Sequence, residues 1–159
     1  MYDFPIPASR RILPWGVTPE RLLRRERKTI VSRNRVISVV DDDASVRVAT
    51  DNLLSALGYI VYTFASAEEF LRSAHFNDTS CVIADVQMPT MSGVELQTLL
   101  LARGQRVPFI FITAFPDESV RARVQKSGAI CLLTKPFDRQ SLIKCLDTAL
   151  QRRAGGTGE

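Results

Sequence analysis

The sequence predicts a doubly wound α/β fold, with five parallel strands covered by helices on both faces. Three observations predict it. Short apolar runs alternate five times along the chain with stretches whose apolar residues recur at helical spacing. Those runs are apolar nearly throughout, as strands buried on both faces are. The chain of 159 residues, 45% apolar and 24% charged, suits one ordinary globular core.

Each element follows from its residues. Val36 to Val40 is the first strand, β-branched apart from Ser38, and Asp41-Asp42-Asp43 ends it. Val46, Ala49, Leu53 and Leu57 then recur at helical spacing, and Gly58 closes that helix. Residues 59–64 read as the second strand. Ser66 followed by Glu69 is a capping-box signature for a short helix through about Ala74. Residues 81–84 form the third strand, which stops at a carboxylate, Asp85. A loop with Pro89 and Gly93 follows, and the third helix runs from Val94 to Ala102. Residues 109–112 form the fourth strand, introduced by Pro108 and ended at Thr113. Pro116 and Asp117 start the fourth helix, which stops before Gly128. Residues 130–133 form the fifth strand, ending at Lys135-Pro136. Asp138 caps the last helix, with Leu142, Leu146 and Leu150 along one side. Right-handed crossovers connect strands of this kind.

The flanks read differently. Residues 1–35 carry nine Lys/Arg against three Asp/Glu, a net +6, whereas residues 36–159 carry twelve against fourteen, a net −2. We expect residues 1–35 to be a basic, mobile arm in which Thr18-Pro19-Glu20 opens a short helix through Arg27. Residues 36–152 are expected to form the domain and residues 153–159 a frayed tail. A basic arm suits nucleic acid or an acidic membrane. A solvated tail is the commoner case, so neither partner is expected. No apolar run approaches the ~18–20 residues of a membrane span, and no secretory leader is visible. Cys81, Cys131 and Cys145 show no CxxC spacing. Each reads as a small buried hydrophobe in a reducing cytoplasm. With His75 as the only histidine, chemistry built on several histidines is excluded.

Four strands end in chemically loaded residues: Asp41 and Asp42, then Asp85, Thr113 and Lys135. In a parallel sheet these ends share one edge, where such folds hold ligands. Two carboxylates about 4 Å apart repel by on the order of 4 kcal/mol at an effective dielectric near 20. A cation must offset that. Oxygen-only ligation suits Mg²⁺, and Lys135 adds a second positive charge. A carboxylate beside Mg²⁺, a lysine and a hydroxyl is suited to holding a phosphoryl group. Asp85, central and alone, is the expected nucleophile, while the adjacent Asp41 and Asp42 suit metal ligation.

Val40-Asp41-Asp42-Asp43, the run from Asp85 through Met88-Pro89-Thr90-Met91-Ser92-Gly93, Ile112-Thr113-Ala114 and Thr134-Lys135-Pro136-Phe137 together resemble the receiver domain of two-component response regulators. The FixJ-type subgroup is the most similar. The resemblance covers about Val36 to Leu150. It implies the flavodoxin-like strand order 2-1-3-4-5 and a phosphoacceptor at Asp85, charged by a histidine kinase or phosphotransfer protein. It implies Mg²⁺ on Asp41, Asp42, Asp85 and the Gln87 backbone carbonyl, with Thr113 and Lys135 on the phosphoryl oxygens. It also implies a cis Lys135–Pro136 bond. Output would pass to a downstream protein target, or to a homodimer through the last two helices and fifth strand. Such a protein is a cytoplasmic phosphoacceptor and not a turnover enzyme.

Two positions depart from or modulate this pattern. The family usually places an aromatic ring three residues before the lysine, and here that position is Leu132. Phe115, two residues past Thr113, is expected over the Asp85 carboxylate. FixJ-type proteins also carry a C-terminal DNA-binding domain, so this chain reads as a stand-alone receiver or one cut from a longer regulator. Other readings are a degenerate receiver acting without phosphate, and a receiver switching a nucleic-acid-binding arm. An aspartyl-phosphate phosphatase would want an Asp where Gln87 stands.

Overall fold

The computed structural model describes residues 35–155, with side chains to Arg152. The expected basic arm with its short helix, and the end of the tail, lie outside the described residues. The strands are β1 (Val36–Val40), β2 (Ile60–Phe64), β3 (Thr79–Asp85), β4 (Phe109–Thr113) and β5 (Cys131–Thr134). The helices are α1 (Ala44–Ala56), α2 (Ala67–Arg72), α3 (Gly93–Ala102), α4 (Glu118–Ser127) and α5 (Arg139–Gly155). The sheet is parallel throughout, in the order β2-β1-β3-β4-β5, as the sequence led us to expect.

Most boundaries fall within a residue or two of those read from the sequence, and the departures have local causes. Glu69 and Ser66 form only half of a capping box. The Ser66 hydroxyl accepts from the Glu69 amide at 3.1 Å, but the Glu69 carboxylate reaches the Ala65 amide at 2.8 Å. The helix it opens ends at Arg72, and a 3₁₀ turn, Phe76–Asp78, leads into β3. The reciprocal box belongs to α3, where Ser92 and Glu95 satisfy each other's amides. Asp43, Asp117 and Asp138 accept hydrogen bonds from the opening amides of α1, α4 and α5. Gly128 ends α4 at φ 75°, the left-handed conformation that glycine adopts without cost.

Two cores result, one on each side of the sheet. Ile37, Val39, Ile83, Ile110 and Ile112 pack with Leu54 of α1 and Leu142 and Leu146 of α5. Val40, Val82, Phe109 and Phe111 pack with Phe70 of α2, Leu96 and Leu100 of α3, and Val120 and Val124 of α4.

The cysteines correct the sequence reading. Cys131 of β5 and Cys145 of α5 form a disulfide, and Cys81 is a buried thiol outside it. A separation of 14 residues gives no CxxC signature. The crossover from β5 into α5 brings the two positions together, and spacing alone does not show that. Among the described residues no helix is long and apolar enough to cross a membrane.

Candidate functional site

Register builds the site. Val40 pairs with Ala84, which sets Asp41 beside Asp85. Asp85 pairs with Ile112, one residue before Thr113, and Thr113 pairs with Thr134, one residue before Lys135. The Lys135 amide continues this ladder by donating to the Thr113 carbonyl at 2.8 Å. Four strand ends thus converge at the carboxyl edge of the sheet.

The Lys135 ammonium lies 2.7 Å from Asp85 Oδ2 and 2.8 Å from Asp41 Oδ2. It is aligned as a hydrogen-bond donor to Asp85, which leaves the buried Asp41 Oδ2 ion-paired but without a well-directed hydrogen bond. The Asp43 amide donates to Asp41 Oδ1 and the Gln87 amide to Asp85 Oδ1, each at 2.9 Å. Burial pushes the Asp41 carboxyl above the usual carboxylate range, against the pull of Lys135 and the Asp43 amide. For Lys135 burial works to lower the value. Its close contacts with the Asp41 and Asp85 carboxylates outweigh that and raise it, so the ammonium is held charged.

The donor set fits a hard cation. One carboxylate oxygen from each of Asp41, Asp42 and Asp85 lies within 4.8 Å of the others. Asp42 is exposed and faces entry from solvent, whereas Asp41 offers a buried oxygen short of hydrogen-bond donors. Such a set matches the preference of Mg²⁺ for oxygen ligands with retained waters.

The remaining expected residues are placed around this centre. Thr113 is fully buried, and its hydroxyl oxygen accepts from the Phe115 amide at 3.1 Å. The hydroxyl proton is therefore directed elsewhere. Phe115 is 69% exposed. Lys135–Pro136 is cis. Leu132 is partly buried and packs against the core that contains Val120 and Val124 of α4.

Two supporting residues escaped the sequence reading. Arg47 of α1 donates from Nη1 to the Asp41 carbonyl at 2.6 Å. Its place one turn after Asp43 was the available signal. Gly93 lies against the end of β3, where a β-carbon would collide with the Asp85 carbonyl oxygen and press on Phe111. Glycine is required there for close approach of two backbones.

Residues 37–147 match the family model of the response regulator receiver domain. The chain belongs to the response regulator receiver family. Nodulation protein W of Bradyrhizobium diazoefficiens is 38% identical over 124 residues, which cover 78% of this chain and 55% of that protein. The solved response regulator StyR is 41% identical with a TM-score of 0.70, covering 77% of this chain and 62% of that one. The crystal structure of FixJ-N is 32% identical with a TM-score of 0.67, covering 74% of this chain and 94% of that one. This receiver chain spans about half the length of the curated relatives it matches. Its family works in two-component signalling, between histidine kinases and downstream effectors.

Proposed function

We propose that this receiver accepts a phosphoryl group on Asp85 from a histidine kinase or phosphotransfer protein. The observation that carries the reading is the Asp85 carboxylate at the strand end. The Lys135 ammonium and the Gln87 amide hold it, and two further carboxylates stand in reach of a shared cation. An Asp85 oxygen attacks phosphorus, the bond from phosphorus to the donor imidazole nitrogen breaks, and the imidazole leaves with that electron pair. Lys135 and the Thr113 hydroxyl bind the phosphoryl oxygens. Asp41, Asp42, Asp85 and the Gln87 carbonyl would hold Mg²⁺, which when bound neutralises charge on the transferring oxygens. The protein acts in the cytoplasm and relays the signal by protein contacts, including a homodimer through α4, β5 and α5. It is an acceptor and not a turnover enzyme.

Incubation with acetyl phosphate and Mg²⁺, followed by intact-mass measurement, tests this. Wild type gains one phosphoryl mass and Asp85→Asn gains none. Equal labelling of the variant would move the nucleophile elsewhere. Asp42→Asn weakens Mg²⁺ binding, because a hard ion loses an anionic ligand. Phe115 shields the acyl phosphate from water, so Phe115→His loses label faster than wild type. Leu132→Tyr alters dimerisation or partner binding more than decay.

A further inference from the structure

We propose that Cys131 and Cys145 are a reversible redox modification site that locks the segment carrying Lys135. Three observations carry it. The Cα atoms are 6.2 Å apart, within the span that a disulfide bridges without backbone movement. Cys131 is partly exposed while Cys145 is 9% exposed, so Cys131 is the more accessible residue of the two. The covalent ring closed by the bond contains Leu132, Thr134, Lys135 and the cis Pro136. Those residues connect β5 to α5 and deliver the ammonium to Asp41 and Asp85.

The chemistry balances with a hydroperoxide as the oxidant. The Cys131 thiolate attacks one oxygen of hydrogen peroxide, the O–O bond breaks, and after proton uptake a sulfenic acid and water result. The Cys145 thiol displaces the hydroxyl from that sulfenic sulfur, giving the disulfide and a second water. Two thiols have lost two electrons, and peroxide has gained them. A dithiol such as dithiothreitol reverses the reaction by attack at the more accessible partner, Cys131. Cys81 is buried and takes no part.

In the dithiol state only packing joins Cys131 to Cys145. In the disulfide state the connection between β5 and α5 can open only within a closed ring, which leaves it fewer open conformations.

The test uses the full chain, reduced and then exposed to hydrogen peroxide, denatured, and alkylated with N-ethylmaleimide. We expect three alkylated cysteines before oxidation, one after, and three again after dithiothreitol. Peptide mapping should show the bond between Cys131 and Cys145. Cys131→Ser should retain two alkylated cysteines after peroxide, whereas Cys145→Ala should retain one, with the Cys131 sulfenic acid left unresolved and trapped by dimedone. Amide hydrogen exchange in residues 132–144 should slow on the order of tenfold in the oxidised protein, while β1 and β3 exchange unchanged. Retention of three thiols by the folded wild type, pairing through Cys81, or crosslinks between chains would overturn the site. Equal exchange in residues 132–144 in both states would overturn the lock.

Discussion

The two faces of the sheet are built from different materials. The face under α1 and α5 has no aromatic ring among its fully buried members. Branched aliphatic side chains fill it, two long helices of 13 and 17 residues cover it, and the Cys131–Cys145 bond joins its edge. The face under α2, α3 and α4 is covered by helices of 6, 10 and 10 residues. Its volume comes from phenylalanines: Phe64 on Phe70 and Phe70 on Phe76 at 5.3 Å, and Phe109 by Phe111 at 5.5 Å. It also buries the Gln97 and Glu68 carboxamide and carboxylate oxygens without hydrogen-bond partners in the protein. Small aliphatic groups under long helices distribute packing energy over many contacts. A few large rings under short helices concentrate it. The first face therefore acts as a platform, while the second depends on single residues, Leu132 among its neighbours.

Truncating a ring should give the largest effect. Phe70→Ala removes a fully buried side chain with two aromatic partners and should cost about 3–5 kcal/mol. Leu142→Ala on the opposite face should cost about 2–4 kcal/mol. Urea denaturation measures both, and a larger loss at Leu142 would reverse the comparison.

Gly93→Ala comes next, at about 1–3 kcal/mol of overpacking where α3 begins. Because the collision is with the Asp85 backbone, Mg²⁺ affinity measured calorimetrically should fall with stability. Unchanged affinity would show that the strand end does not feel this helix.

Gln97→Leu should act in the other direction and stabilise by about 1 kcal/mol, since it removes a buried oxygen left without a donor. A melting curve that falls would mean the amide is satisfied within the second face.

The smallest effect is expected from pH. Hydrogen bonds from Ser45, from the Val120 amide and from Ser141 hold Asp43, Asp117 and Asp138, respectively, below the ordinary value of 3.8. Stability from these caps is present above pH 3.8 and is lost as pH falls through their lowered values. Two of them start α1 and α5 and one starts α4, so acid should loosen the aliphatic face more. Asp41 has the opposite sign, because burial raises it. Its contribution to folding is full below 3.8 and is lost as pH rises through its folded value. Cation binding should accordingly weaken on acidification before helicity does. Circular dichroism beside a Mg²⁺ titration checks the order of the two losses.

The strands and their shared edge were legible because each site residue ends an apolar run, while the strand order followed from the resemblance to receiver domains. Asp41, Asp85, Thr113 and Lys135 needed only the rule that parallel strands share an edge. Gly93 was harder to read, since the sequence shows a glycine in a turn but not the carbonyl it lies against. The capping box at Ser92 and Glu95 was overlooked beside the similar pattern at Ser66 and Glu69, where the carboxylate reaches one amide further back. The disulfide was out of reach for another reason. Its partners meet only after β5 has turned through Pro136 into α5, and no local periodicity records that turn.

The position of Lys135, fifty residues downstream of Asp85, bears on how the chain is made. During synthesis the carboxylates of β1 and β3 leave the ribosome well before the lysine that joins them. Until the last strand adds to the sheet, negative charges stand together without their ammonium. A nascent or truncated chain ending before β5 therefore presents the aspartates without a competent centre. Chain growth through β5 is in this way a condition of assembling the cluster of Lys135 with Asp41 and Asp85.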